Sequence, residues 1–566
     1  MKFNAYPYER PDMVQIEKQM MEAIENMKAA SNADEVIRLM TGINTIRKTF
    51  DTMAALASIR YTQNTNDAFY EAEKEAIDDL SPEFESLVNQ YYKSILASPY
   101  INEIEKVYGE HFIALINVKL KAFDDGIIEE LKEESKLMQA YTKLRTSAKI
   151  LFDGEIRNLP QMVPFYEARD HEIRKAAHLA TSQFFSDNLN AFDALYDKLV
   201  KVRHRMAKKM GFDNYIPLGY LRLMRTDYNA EDVAGYREQV KKDLVPLTSM
   251  LREKQRQRLG VRTLTFSDEG ITFLSGNAKP KGTANEILTQ GLNMYHALSK
   301  ETATFIEYLY DHALLDVEAR EGKAGGGYCS FIHDHKSPFI FSNFNGTSGD
   351  VDVLTHEAGH AFQIFQSRDF DLPEFVWPTL EACEIHSMSM EFITWPHMEK
   401  FFGDKADKYR YHHLTEALLF IPYGTLVDEF QHEIYANPHL TPSERRAKWR
   451  TLEHAYLPHR VYEDDQFLEE GGYWFRQGHI FTDPFYYIDY TLAQVCAFQF
   501  HVAHQKDPGS AWQRYLKLCQ LGGSQSFLSL IKSAGLDNPF EEGTIKQIVA
   551  PLTEWLGAQN DKVFND

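Results

Sequence analysis

Apolar positions recur along the first part of the chain at the spacing of amphipathic helices. Met13, Val14, Met20, Met21, Ile24 and Met27 form one stripe, and Val36, Ile37, Met40, Ile43, Ile46, Phe50 and Met53 form the next. Ser81-Pro82-Glu83 has a cap residue, a proline and an acid in the order of a helix start, so a new helix is expected there. Charged residues take the opposite faces, and this region reads as a helical scaffold. The helical texture continues from about residue 170 to 320, loosened between Gly260 and Gly282. It breaks at Ala324-Gly325-Gly326-Gly327-Tyr328-Cys329-Ser330, read as a turn into an edge strand, because no Gly-Lys-Ser/Thr follows to make a phosphate loop. Phe339-Ile340-Phe341-Ser342-Asn343-Phe344 is the best strand candidate; Asn345-Gly346 closes it with turn chemistry, and helix resumes near Asp350.

Composition narrows the function classes. The 566 residues can bury a large core without covalent staples. Lys plus Arg number 61 against 82 Asp plus Glu, and a net charge of −21 repels phosphate backbones, so no nucleic-acid partner is expected. Cys329, Cys383, Cys496 and Cys519 are too scattered for a disulfide framework or a thiolate zinc site, and are expected to be free thiols. No apolar run approaches the roughly 20 residues of a membrane span, and the N-terminal MKFNAYPYERPD lacks an apolar leader. No membrane contact and a cytoplasmic location are therefore expected, with no obligate protein partner evident.

One segment carries chemistry. Val353-Leu354-Thr355-His356-Glu357-Ala358-Gly359-His360-Ala361-Phe362 contains H-E-x-x-H, a spacing that puts two imidazoles one helical turn apart on one face, able to reach a single Zn²⁺. Glu357 lies about 100° round the helix from His356, within reach of an attacking water without taking a ligand position. His171-Glu172 and His432-Glu433 are decoys, with Lys175 and Ala436 where a second ligand would stand. A catalytic zinc needs a third protein ligand and an open fourth position. In the next helical stretch Glu381, Glu384, Met388 and Glu391 share one face, and three carboxylates on an otherwise apolar helix need a cation or donors opposite. Glu384 is assigned as third ligand, with Glu381 or Glu391 orienting a ligand histidine. His386 is a weaker candidate elsewhere on that helix.

With these residues the chain resembles the thimet oligopeptidase and oligoendopeptidase F family of zinc metallopeptidases, nearest its bacterial oligoendopeptidase F and Pz-peptidase branch. The family pattern is H-E-x-G-H, then a zinc-binding glutamate about 25 residues on, then another glutamate after seven more. Here Glu384 follows His360 by 24 residues and Glu391 follows Glu384 by seven, with Glu381 in the place of a family acid. The block from Gly471-Gly472-Tyr473 through His479 to Tyr486-Tyr487-Ile488-Asp489-Tyr490 resembles the family's glycine-rich loop, histidine and tyrosine cluster. The resemblance implies that this block binds substrate backbone and stabilises the oxyanion. It implies catalytic roles for Tyr490, Tyr487 and His479, and substrate contacts at Tyr486, Gly471 and Gly472, with Tyr486 and Tyr487 as alternatives for the family tyrosine; by its chemistry His459 is a further candidate donor to substrate. It also implies that a peptide lies along an edge strand, which the strand at 339 to 344 fits.

The resulting expectation is a mostly α protein. Two helical halves flank a deep substrate channel, and a small β-sheet stands beside the zinc helix. Residues 1–165 form an N-terminal helical part of the channel wall, and residues 166–566 the catalytic region. The expected activity is hydrolysis of internal bonds in short unstructured oligopeptides, with one Zn²⁺ per chain held by His356, His360 and Glu384 and with Glu357 as general base. A dipeptidyl carboxypeptidase of similar architecture is the nearest rival, and would need a cation for the substrate's terminal carboxylate; Arg476 and Lys400 are the residues to test. A helical protein that binds zinc without catalysis is the rival from another class.

Overall fold

The structure, a computed structural model, describes residues 1–560 and 563–564. The protein is mostly helical, and the chain divides into two compact units. The first combines Met1–Leu120, Lys279–Ala406 and Gln499–Leu536, and the second Lys121–Ala278, Asp407–Phe498 and Asp537–Asp566. Among the described residues no helix is long and apolar enough to cross a membrane.

The first unit opens with three packed helices, α1 (Met13–Ala29), α2 (Ala33–Gln63) and α3 (Ala68–Leu96). The side chains of Asp12, Asn32 and Asp67 cap them, each accepting a backbone N–H of the first turn. Met20, Ile24, Met27, Val36, Met40, Ile43 and Phe50 of the two apolar stripes are buried against Phe84, Leu87, Val88, Tyr91 and Tyr92 of α3. Val14, counted in the first stripe, is 79% exposed. Ser81-Pro82-Glu83 does not start a helix, because α3 runs through Pro82. The proline deprives the Asp78 carbonyl of its partner, but that residue is exposed and water can satisfy it. Buried Ile77, Phe84, Leu87 and Val88 on either side of the proline hold one continuous helix against the core.

A three-stranded sheet follows, made of β1 (Leu315–Glu318), β2 (Tyr328–Ile332) and β3 (Ser337–Phe344) in the order β1-β3-β2. β3 pairs in parallel with β1 and antiparallel with β2. The strand at 339 to 344 is therefore central, not an edge, and its backbone groups are taken on both sides. The glycine run leads instead into β2, an outer strand. Lys323, its side chain fully buried, donates to Asp316 Oδ1 at 2.7 Å and to the Ser342 carbonyl at 2.6 Å, joining β1 to β3. The sheet packs on α4 (Gly349–Ser367). The Asp350 carboxylate accepts from the backbone N–H of Asn345 at 2.8 Å and of Gly346 at 2.7 Å, so the turn is tied to the first turn of the helix it feeds. α4 then packs along α5 (Leu380–Ile393), in which every residue from 381 to 390 is buried.

The second unit is also helical, with a short hairpin of Ile150–Phe152 and Glu155–Arg157. One of its buried polar nodes is Glu134, held by Arg203 at 2.6 Å and Arg222 at 2.8 Å, two guanidiniums that keep its carboxyl down at about 2 against the desolvation that would raise it. The unit includes the start of α6 (Tyr487–Lys506).

Candidate active site

His356 and His360 stand one turn apart on α4, and Glu384 faces them from α5. Glu384 Oε2 lies 3.3 Å from His356 Nε2 and 3.4 Å from His360 Nε2, and the three donor atoms fall within 4.8 Å of one another. Bonds of about 2.0–2.1 Å in a tetrahedral site separate two donors by about 3.3 Å, so this set fits a metal ion of that geometry. His356 Nδ1–H donates to Glu391 Oε1 at 2.7 Å, which turns Nε2 toward the site. Of the two acids considered for that role, Glu391 is the one placed on a ligand histidine; Glu381 is buried on the same helix at 1% exposure. His386 is fully buried, and its backbone carbonyl accepts from the Tyr515 hydroxyl at 2.8 Å.

The spacing depends on Gly359. A Cβ there would lie 2.6 Å from Ser387 Cα and 2.7 Å from the His386 carbonyl oxygen, so a glycine inside α4 lets α5 approach to backbone contact. A helix-interior glycine costs about 1 kcal/mol relative to alanine and signals a packing reason of this kind.

Electrostatics follow from burial and from these pairs. Burial disfavours charge on His356, but hydrogen bonds and Coulomb attraction from Glu384 and Glu391 outweigh it and raise its pKa. Burial would raise Glu384, yet the two imidazoles hold it well below the carboxylate range. Glu357, 8% exposed, is raised mainly by desolvation, which the imidazoles only partly offset. A metal-free site is thus expected to hold a proton that metal displaces, so affinity weakens as pH falls. Glu391→Gln should cost about 10–100-fold in metal affinity, read by competition with a chromogenic chelator; unchanged affinity would refute the orienting role.

Glu357 looks toward the glycine run. Gly327, just before β2, has its Cα close enough that an added Cβ would sit 3.6 Å from Glu357 Oε1. Asn343 Nδ2 holds the run by donating to the carbonyls of Ala324 at 2.8 Å and Gly326 at 2.9 Å. The outer strand β2 begins at this point.

The second cluster lies in the second unit. The His479 ring is 4.9 Å from that of Tyr487 and 5.8 Å from those of Tyr486 and Tyr490, all four side chains half-buried. A strained turn aims these tyrosines. Phe485 has φ +68°, its N–H donates to Gln431 Oε1 at 3.1 Å, and its carbonyl accepts from Arg225 Nη2 at 2.7 Å. The same Nη2 bonds Asp489 Oδ1 at 2.7 Å in a fully buried pair. Gly219 makes room for the Phe485 ring, which a Cβ would meet at 2.6 Å.

Other residues singled out in the sequence find different surroundings. His459 lies 3.8 Å from Glu269, beside a buried cluster with Arg252 and Arg460, and burial lowers its pKa to about 4. Gly471, at φ +85°, lies against the Arg446 carbonyl, and Gly472 against the Phe467 ring; both are buried, and close packing, with a positive φ at Gly471, calls for glycine there. Arg476 lies 4.6 Å over the Tyr473 ring, its Nε and Nη2 buried without a hydrogen-bond partner among the described residues, while Lys400 is exposed. Sequence reasoning passed over Arg225, Gln431 and Tyr423. They lie over 50 residues from the groups they hold, and no local spacing marks them.

Comparison with known proteins agrees along the whole chain. The peptidase M3 N-terminal domain matches residues 3–123, and peptidase family M3 matches residues 165–550. Oligopeptidase PepF of Bacillus subtilis (strain 168) is 22% identical over 559 residues, covering 90% of this chain and 78% of its own. The oligoendopeptidase F homolog of Borreliella burgdorferi is 24% identical over 433 residues, covering 72% of this chain and 71% of its own. Among solved structures, Pz peptidase A with an inhibitor is 49% identical, with a TM-score of 0.95 over 99% of this chain and 100% of that one. A structure provisionally assigned as an oligoendopeptidase F is 53% identical, with a TM-score of 0.95 over 100% of both chains.

Proposed function

The chain belongs to peptidase family M3 and is a metallo-oligopeptidase, and from that premise we propose that it is a zinc endopeptidase cutting internal bonds of short unstructured peptides. The observation that carries the reading is the His356, His360 and Glu384 donor set at tetrahedral spacing, with Glu357 beside it and outside it. Two imidazoles and a carboxylate suit zinc, which supplies Lewis-acid polarisation of the scissile carbonyl and of water. Glu391 orients His356. Glu357 takes the proton of the attacking water on its carboxylate and passes it to the leaving amine, while the water oxygen bonds to the carbonyl carbon and the C–N bond breaks. Tyr490, with Tyr487 or His479, donates to the oxyanion that develops. Of the two outer strands we assign β2 to the peptide backbone, because it begins beside Glu357, whereas β3 is paired on both sides. The family resemblance supports a channel that admits unfolded chains, with residues 1–165 in its wall, and a cytoplasmic location. A net charge of −21 favours cationic peptides.

The test is mass spectrometry of a ladder of unstructured peptides of about 4 to 30 residues, incubated with zinc-loaded protein. Internal cuts that stop above a length limit are the expected result. Release of C-terminal dipeptides alone would replace the reading by the carboxypeptidase. No cleavage at all would overturn it.

A further inference from the structure

Gln477 lies between a buried phenol and the histidine of the tyrosine cluster. The Tyr423 hydroxyl donates to Gln477 Oε1 at 2.7 Å, and Gln477 Nε2 lies 2.9 Å from His479 Nδ1. A carboxamide nitrogen only donates, so with its oxygen engaged by Tyr423 the amide presents N–H to His479, and Nδ1 must accept. A neutral imidazole that accepts at Nδ1 carries its proton on Nε2.

We propose that Gln477, anchored by Tyr423, is a positioning residue that holds His479 as the neutral imidazole protonated on Nε2, making it a hydrogen-bond donor to substrate oxygen and not a base. The catalytic half of this inference rests on the reading in which His479 donates to the substrate; the tautomer itself does not.

The groups facing His479 within its unit agree with a neutral ring. Tyr486, just before α6, and Tyr487 and Tyr490 on it stand against the ring. Behind the amide are Tyr423 and Tyr473, with Arg460 and Arg476 close enough to act on Tyr423, and Arg145 lies against Gly478. The neighbouring Asp483 carboxylate accepts from Thr482 Oγ1 at 2.6 Å. A phenol keeps its proton through neutral pH, and the arginines oppose a further cation. A donor set by an amide, unlike one set by a carboxylate, needs no protonation to work, so His479 can donate across neutral and alkaline pH.

Gln477→Glu reverses the logic. A carboxylate only accepts, so it draws the proton to Nδ1, and the neutral ring then offers a lone pair at Nε2. Donation survives only in the imidazolium. In zinc-loaded protein, kcat of the variant is expected to fall about tenfold or more between about pH 6 and about pH 9, a limb absent from the parent. Tyr423→Phe removes only the anchor hydroxyl and should lower kcat a few-fold, which tests the arrangement should the glutamate variant misfold. The direct readout is ¹⁵N NMR of the His479 ring, identified by the signal lost in His479→Gln. The parent should show protonated Nε2 and bare Nδ1, and Gln477→Glu the reverse. A parent ring protonated on Nδ1 would overturn the proposal. The expected tautomers with no new limb in the pH profile would overturn the donor role of His479, leaving the zinc and Glu357 reading to stand on the peptide ladder.

Discussion

Replacing Glu357 by glutamine is expected to leave one zinc per chain bound and to lower kcat about a thousandfold or more, since a positioned general base contributes about 10²–10⁴ and in the proposed mechanism the same group also returns the proton. The side chain suits the change. It is 8% exposed, its carboxylate edge lies beside the Gly327 backbone, and glutamine fills the same space without being able to accept a proton. The metal donors are other groups, so zinc content should not move. Turnover of a quenched fluorescent peptide, with metal analysis on the same sample, separates the outcomes. Near-parental turnover would remove Glu357 from the reaction, and loss of zinc would make it a ligand.

Gly359→Ala is expected to weaken both fold and metal site, although alanine is the better helix former by about 1 kcal/mol. The added Cβ would meet Ser387 Cα at 2.6 Å and the His386 carbonyl at 2.7 Å. Both are backbone atoms of α5 and cannot swing aside. Overpacking of this kind costs about 1–3 kcal/mol, which exceeds the helix gain, and relief requires α4 and α5 to part. Glu384 rides on α5 one turn before these atoms, so parting the helices lengthens its 3.3 Å and 3.4 Å separations from the two imidazoles. Zinc affinity should fall about tenfold or more, and Tm should fall with it. A higher Tm with unchanged zinc affinity would show that the close approach does not set the site.

The local features of the site were legible because each is a matter of spacing within one element. Histidines four apart on a helix share a face whatever the rest of the chain does, and so do Glu384 and Glu391 at seven. The buried stripes of α1 and α2, the strand at 339 to 344, the Asn345-Gly346 turn and the start of the next helix follow from periodicity and turn chemistry, which act over a few residues. Pro82 marks the limit: a local start signal was overridden by a continuous apolar face that α3 buries on both sides of it.

The sequence by itself determined the helical class, the donor set and the candidate base, since these depend on residue type and on intervals shorter than one element. Tertiary structure alone decided which partner each group meets. Strand order made β3 central and put β1 and β2 on the outside, because a strand's neighbours come from the packing of distant segments. The same packing set His459 near Glu269, and Gly471 and Gly472 against the Arg446 carbonyl and the Phe467 ring. The Arg225 clamp on Phe485 and the Tyr423–Gln477–His479 relay join residues more than 50 positions apart at one end. Such contacts have no period along the chain, so only the folded path brings them into being.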